Sequence, residues 1–205
     1  IVNLLDNAER KVLAISASHD TGSAVPVKSL LKEAIGRIEM AYEAKGGLTG
    51  LPSGFDDLDR LTSGLQPSDL ILLAARPSMG KTALTLNLAA NVALRKKKSV
   101  AFFSLEMSSI QLLMRLISSE SGVDSKQIQR GDVSPDEWAA IMGACDNLYN
   151  APLYIDDNSN INVAELRSRA RRIQSEHGLD LIIIDYLQLM QGRHTGSNDN
   201  RQQEV

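Results

Sequence analysis

The 205 residues, 43% apolar and 23% charged with a formal charge of −3, form an ordinary globular composition that can bury one sizeable core with something smaller attached. That charge excludes a global basic footprint of the kind used to coat nucleic acid, and apolar runs such as Leu70 to Ala75 and Leu181 to Ile184 fall far short of the roughly 20 residues a membrane span needs. A single cysteine, Cys145, read as a small core residue, excludes an internal disulfide or a multi-cysteine zinc site; with no charged leader ahead of an apolar stretch, the expected location is cytoplasmic.

The chain starts at Ile1 rather than methionine and stops at Val205 in mid-pattern, so both ends are read as cuts. Residues 1 to 18 space Leu4, Leu5, Ala8, Val12 and Ile15 as a helix does, and the breaker-rich stretch from His19 to Pro26 reads as a linker. From Val27 to Lys45 a second helix sets Leu31, Ile35, Ile38 and Tyr42 on one face and ends at Gly46-Gly47. Such a helix needs something to dock on, either its own domain or a neighbouring subunit, and the sequence leaves both open.

After Gly47, short apolar runs alternate with helices, the pattern of an α/β fold with a mainly parallel sheet flanked by helices. The expected strands are Leu70 to Ala74, Ser99 to Leu105, Leu153 to Ile155 and Leu179 to Ile184. Directly after the first comes Ala75-Arg76-Pro77-Ser78-Met79-Gly80-Lys81-Thr82, and directly after that a helical run with Leu84, Leu88 and Val92. This is a phosphate-binding loop in its required setting, where converging backbone N–H groups and the positive end of a helix hold a triphosphate. Lys81 would reach the β and γ phosphates, and the Thr82 hydroxyl would take a place on magnesium. Ala75 stands where the consensus has a glycine, so either that position is not left-handed or the loop is slightly altered.

Lys96-Lys97-Lys98 reads as a solvated turn at a helix C-terminus in preference to a DNA contact. Glu106, at the carboxyl end of the Ser99 to Leu105 strand, is the candidate base that orients and deprotonates the attacking water; the alternative is a carboxylate decorating the start of the next helix. Ser108 with Gln111 caps that helix. Ser134-Pro135-Asp136-Glu137 starts another, with Val133 and Trp138 as a hydrophobic staple that puts Trp138 in the core. Asn162 to Glu165 repeats the scheme before a helix carrying Arg167, Arg169, Arg171 and Arg172, with Glu165 and Arg169 as an i, i+4 pair, a solvated or subunit-facing element. The all-apolar Leu181 to Ile184 ends in Asp185, expected to hold magnesium at the ligand-binding end of the sheet. The tail from Gln191 to Arg201, with Arg193, His194 and Arg201, is the better candidate for nucleic acid, though no aromatic stacking platform accompanies it.

Taken together, Thr49-Gly50-Leu51-Pro52-Ser53-Gly54-Phe55 with Leu58-Asp59, the loop Ala75 to Thr82, Ser104-Leu105-Glu106-Met107, the Arg-Ser-Arg-Ala-Arg-Arg helix and Ile184-Asp185-Tyr186-Leu187-Gln188-Leu189 resemble the DnaB replicative helicase family, in the same order and over essentially the whole chain. The resemblance implies a RecA-like P-loop ATPase domain over 48–205, a linker with a helix docking on the neighbouring subunit over 19–47, and the end of an amino-terminal helical domain or a linker helix over 1–18. It implies a homo-hexamer that uses ATP and magnesium to move along single-stranded DNA, with primase and a helicase loader as partners. A glutamine sensor, DNA-gripping loops and an arginine finger would lie beyond Val205. Two other functions share the same residues: a RecA-like ATPase of recombinase or clock type, and a nucleotide-gated module that recruits primase or a loader.

Overall fold

In the computed structural model, which describes residues 25–43 and 47–190, the chain divides into two units, Ile1–Gly47 and Leu48–Val205. In the first, Ser29 donates from its amide (3.0 Å) and its hydroxyl (2.7 Å) to the Pro26 carbonyl, closing the first turn of helix α1, Val27–Glu43. Leu31, Ile35, Ile38 and Tyr42 follow one another along one stripe and all are exposed. The helix expected over 1–18, most of the linker and Gly46 lie outside the described residues.

The second unit opens with an antiparallel bridge between Leu51 and Leu65 around the short helix α2, Asp56–Thr62. Helix α3, Lys81–Ala90, runs on through a π turn, Asn91–Arg95. Then follow β1 (Val100–Ser104), α4 (Ser109–Ser121), α5 (Ser125–Arg130), α6 (Pro135–Tyr149), β2 (Leu153–Asp156), α7 (Val163–His177), β3 (Leu181–Asp185) and a 3-10 turn, Leu187–Leu189. The strands pair in the order β2-β1-β3, all parallel, with Phe102 opposite Ile155 on one side and Ile183 on the other. Parallel neighbours need long crossovers, which α4 to α6 and then α7 supply.

Every residue of β1 is buried, and the pleat sends its side chains to two cores. Val100 and Phe102 pack with Leu86, Ala89 and Val92 of the α3 rod and Leu112 and Leu116 of α4, while Ala101 and Phe103 pack with Ile161 and with Leu166 and Ala170 of α7. Each fully buried phenylalanine contributes roughly 1.5–3 kcal/mol of transfer free energy, which makes β1 the anchor of the sheet. Reciprocal capping boxes form at Ser108/Gln111, Ser134/Glu137 and Asn162/Glu165, satisfying amide groups that have no partner within the helix. No helix among the described residues is long and apolar enough to cross a membrane.

Two expectations are overturned here. Leu70 to Ala74 form no strand: the run is unpaired, and Leu70, Ile71, Leu72 and Leu73 are all exposed. Strand character needs a partner backbone as well as an apolar sequence, and no described strand lies alongside this run, although β2 and β3 each keep an outer edge open. Trp138 is 58% exposed instead of lying in the core. The buried stripe of α6 runs through Ile141 and Ala144, and at 100° per residue Trp138 sits roughly 90° around the helix from its centre. Its intended staple partner Val133 does pack inward, against Ile117, Val123 and Ile141.

Candidate active site at the carboxyl end of the sheet

The loop from Ala75 to Gly80 is exposed throughout, and its only left-handed residues are Ser78 (φ 63°) and Gly80 (φ 88°). Ala75 is not left-handed, so the missing glycine costs the loop nothing in backbone strain. The Met79 amide donates to the Arg76 carbonyl at 3.2 Å, which closes the turn through Pro77 and Ser78. Gly80 then caps α3 in a conformation that L residues resist, with open space where a side chain would be.

Lys81 and Thr82 open α3, and both meet Asp185, the last residue of β3. The Thr82 hydroxyl donates to Asp185 Oδ2 at 2.6 Å, and Lys81 Nζ lies 3.1 Å from Oδ1 and 3.9 Å from the centre of the Tyr186 ring. Two neighbouring residues and a third 103 positions after Thr82 thus share one corner, where the start of a helix meets the end of a parallel strand. The Asp185 side chain is 2% exposed, yet its Oδ1 has no aligned hydrogen-bond donor among the described residues, despite the nearby ammonium. A buried anionic oxygen with unused acceptor capacity, beside a hydroxyl, suits a hard divalent cation.

Glu106 lies two residues beyond the end of β1, exposed, on the bend Leu105–Met107. The Leu105 amide donates to the Asp185 carbonyl at 2.7 Å, so this bend continues the β1–β3 ladder by one rung. The Ser104 hydroxyl, in a residue 1% exposed, donates to the Met107 carbonyl (2.7 Å) and accepts from the Met107 amide (3.1 Å). Beyond the bend, Asp157 accepts the Ser109 amide at 2.8 Å, and this bond, with the Ser109 side chain second, holds its carboxyl below the usual carboxylate range.

Some structure around the site was not foreseen. Asn91, 8% exposed in the π turn that ends the α3 rod, donates to the Ser53 carbonyl at 3.2 Å, while the amides of Ser53 and Gly54 donate to the buried Asp59 at 2.8 and 3.2 Å. Gly54 (φ 81°) lies so close to Asn91 that an added Cβ would sit 2.5 Å from it. The Thr49–Asp59 segment is thereby clipped to the far end of the helix that carries Lys81. Arg169 does not use Glu165 as its main partner: its Nη1 donates to both oxygens of Asp156, at 2.8 and 2.6 Å, and this raises the guanidinium pKa. Glu165 turns back instead to the Asn162 amide in the capping box, which leaves it a lesser Coulombic role. Lys96 to Lys98 form an exposed turn in which Lys98 pairs with Asp180 at 3.4 Å. Arg193, His194 and Arg201 lie outside the described residues.

Residues 50–205 match the family described as DnaB-like helicase C terminal domain. The replicative DNA helicase DnaB of Geobacillus stearothermophilus is 46% identical over 202 residues, which are 98% of this chain and 44% of that protein, so the chain spans less than half the relative's length. Among solved structures, one described as an ATPase domain superposes with a TM-score of 0.77 at 32% identity, over 90% of this chain and 63% of that one. A DnaB-like replicative helicase, described together with its interactions with primase, gives 0.75 at 31% identity over 97% and 47%. The parallel sheet flanked by helices is accordingly the RecA-like fold read from the sequence.

Proposed function

Because the chain belongs to the DnaB-like helicase C-terminal domain family, we propose that it is the motor of a replicative DNA helicase, hydrolysing ATP to move along single-stranded DNA and part the duplex. The observation that carries this reading is the meeting of Lys81, Thr82 and Asp185 in one corner, with Glu106 on the bend that follows the Leu105–Asp185 rung. The loop amides from Ala75, Arg76, Ser78 and Gly80, with Pro77 setting the turn, cradle the phosphates, the Met79 amide joins them on leaving the Arg76 carbonyl, and Lys81 leaves Asp185 to neutralise the β and γ oxygens. Thr82 and Asp185 would hold magnesium, which supplies charge stabilisation to the leaving phosphate when bound. Glu106 takes the proton of the attacking water.

The motor works as a homo-hexamer in the cytoplasm, with primase and a loader as partners; the primase partner is supported by the relative described with it. The exposed stripe Leu31, Ile35, Ile38 and Tyr42 of α1 is the surface through which one subunit holds the next. The test is Glu106→Gln in the full-length protein. Nucleotide binding should persist while turnover and unwinding fall by roughly a hundredfold or more. Hydrolysis at the parent rate would falsify the base assignment and return Glu106 to the role of a helix-start carboxylate.

A further inference from the structure

We propose that Ser104 is a positioning residue for Glu106, fixing the carboxylate by locking the backbone on its far side; the inference rests on the reading of Glu106 as the base. A glutamate on an exposed bend is a poor base if the bend wanders, since a displacement of about 1 Å can cost a hundredfold in rate. Here the bend is held from both ends. Before Glu106, the Leu105 amide is bonded to the Asp185 carbonyl at 2.7 Å; after it, the Ser104 hydroxyl holds both polar groups of the Met107 backbone, at 2.7 and 3.1 Å. The donor proton of the hydroxyl and one of its acceptor sites are thus both committed to a single residue. Ser104 is 1% exposed and ends the central strand, so its oxygen is carried by the stiffest part of the fold.

Ser104 is buried with its hydroxyl committed to Met107, so its effect reaches the reaction only through Glu106. This separates it from a serine that merely stabilises the fold, whose loss would slow the enzyme whatever stands at 106. Full-length parent, Ser104→Ala, Glu106→Gln and the double variant are compared by ATP affinity and by single-turnover hydrolysis. Ser104→Ala should lower the hydrolysis rate about tenfold or more with ATP affinity within about twofold of the parent. In the Glu106→Gln background the same change should do nothing further, because the side chain it positions no longer acts as a base. If the alanine protein fails to bind ATP, Ser104→Cys replaces it in the same comparison, filling the space with a much weaker donor and acceptor. A parent-like rate in a folded Ser104 variant, or an equal drop in both backgrounds, overturns the proposal. A normal rate in Glu106→Gln alone removes the base reading itself, and the positioning role with it.

Discussion

Replacing Asp185 with asparagine separates what this carboxylate does for the fold from what it does for the proposed chemistry. Its side chain is 2% exposed and lies 3.1 Å from Lys81 Nζ. At that distance opposite unit charges attract by about 5 kcal/mol at an effective dielectric near 20. Against this stands a cost of several kcal/mol for stripping water from so deeply buried a carboxylate. The two terms nearly cancel, the asparagine oxygen still accepts from Thr82, and Lys81, 25% exposed, is free to turn toward water. The variant should therefore differ from the parent by no more than about 1–2 kcal/mol, in either direction. Magnesium should be affected far more, because a neutral amide replaces the anionic oxygen that suits the ion. In denaturant melts of the nucleotide-free protein the midpoint should shift by no more than those roughly 1–2 kcal/mol allow, about 1 M in urea, while in ATP titrations the affinity added by magnesium should vanish. A stability loss above about 3 kcal/mol would mean that the Lys81–Asp185 pair holds the fold together, and a surviving magnesium increment would refute the metal role.

Charged substitutions at Ile35 and Ile38 on the exposed stripe of α1 should abolish the proposed hexamer of the full-length protein while leaving the ATPase domain folded; sizing that still gives a hexamer would remove the stripe from the interface. Asn91→Ala strands the Ser53 carbonyl in a residue with no exposure and should cost roughly 1–3 kcal/mol in a denaturation experiment. Glu137 and Asp157 both titrate below their ordinary range, because backbone amides of Ser134 and Ser109 bond their ionised forms first and foremost. The stability they add is complete above the unfolded value and is lost as pH falls below about 4, so Glu137→Gln with Asp157→Asn should flatten the acid limb of a melting-temperature profile.

Local signals were the legible ones. Each capping box is closed by residues three apart, and the phosphate loop is a contiguous string, so the sequence alone carries their geometry. The meeting of Lys81 and Thr82 with Asp185 was readable for a different reason: a phosphate loop and an acid ending an all-apolar strand are expected to serve one nucleotide, although the strand expected ahead of the loop does not form. What escaped depends on distant partners. Leu70 to Leu73 has the composition of a strand, and nothing within it says whether a backbone will lie alongside. Trp138 sits correctly for a staple, but the direction of the α6 core stripe was decided by Ile117 and Val123, elsewhere in the chain. Arg169 had a carboxylate one turn away and bonded another from β2, because the nearer one was engaged at the helix start. Ser104 was legible only as part of the Ser104 to Met107 block, since nothing local tells a strand-ending serine that turns back to the backbone from one that meets solvent.

The extra rung from Leu105 to Asp185 gives the candidate site one stiff wall and one soft one. The segment that carries Glu106 and the residue Asp185 belong to one backbone ladder, so neither can shift against the other without breaking an amide bond in the most buried part of the chain. The stretch Ile71 to Gly80 opposite them is exposed and outside every ladder, held by little more than its own turn and the start of α3. On the proposed reading, an arriving nucleotide would meet the soft wall first, while the backbone behind it ties the Glu106 bend to Asp185. A displacement of β3 would then carry the bend along through the Leu105 rung, so the two carriers would travel as a single tool.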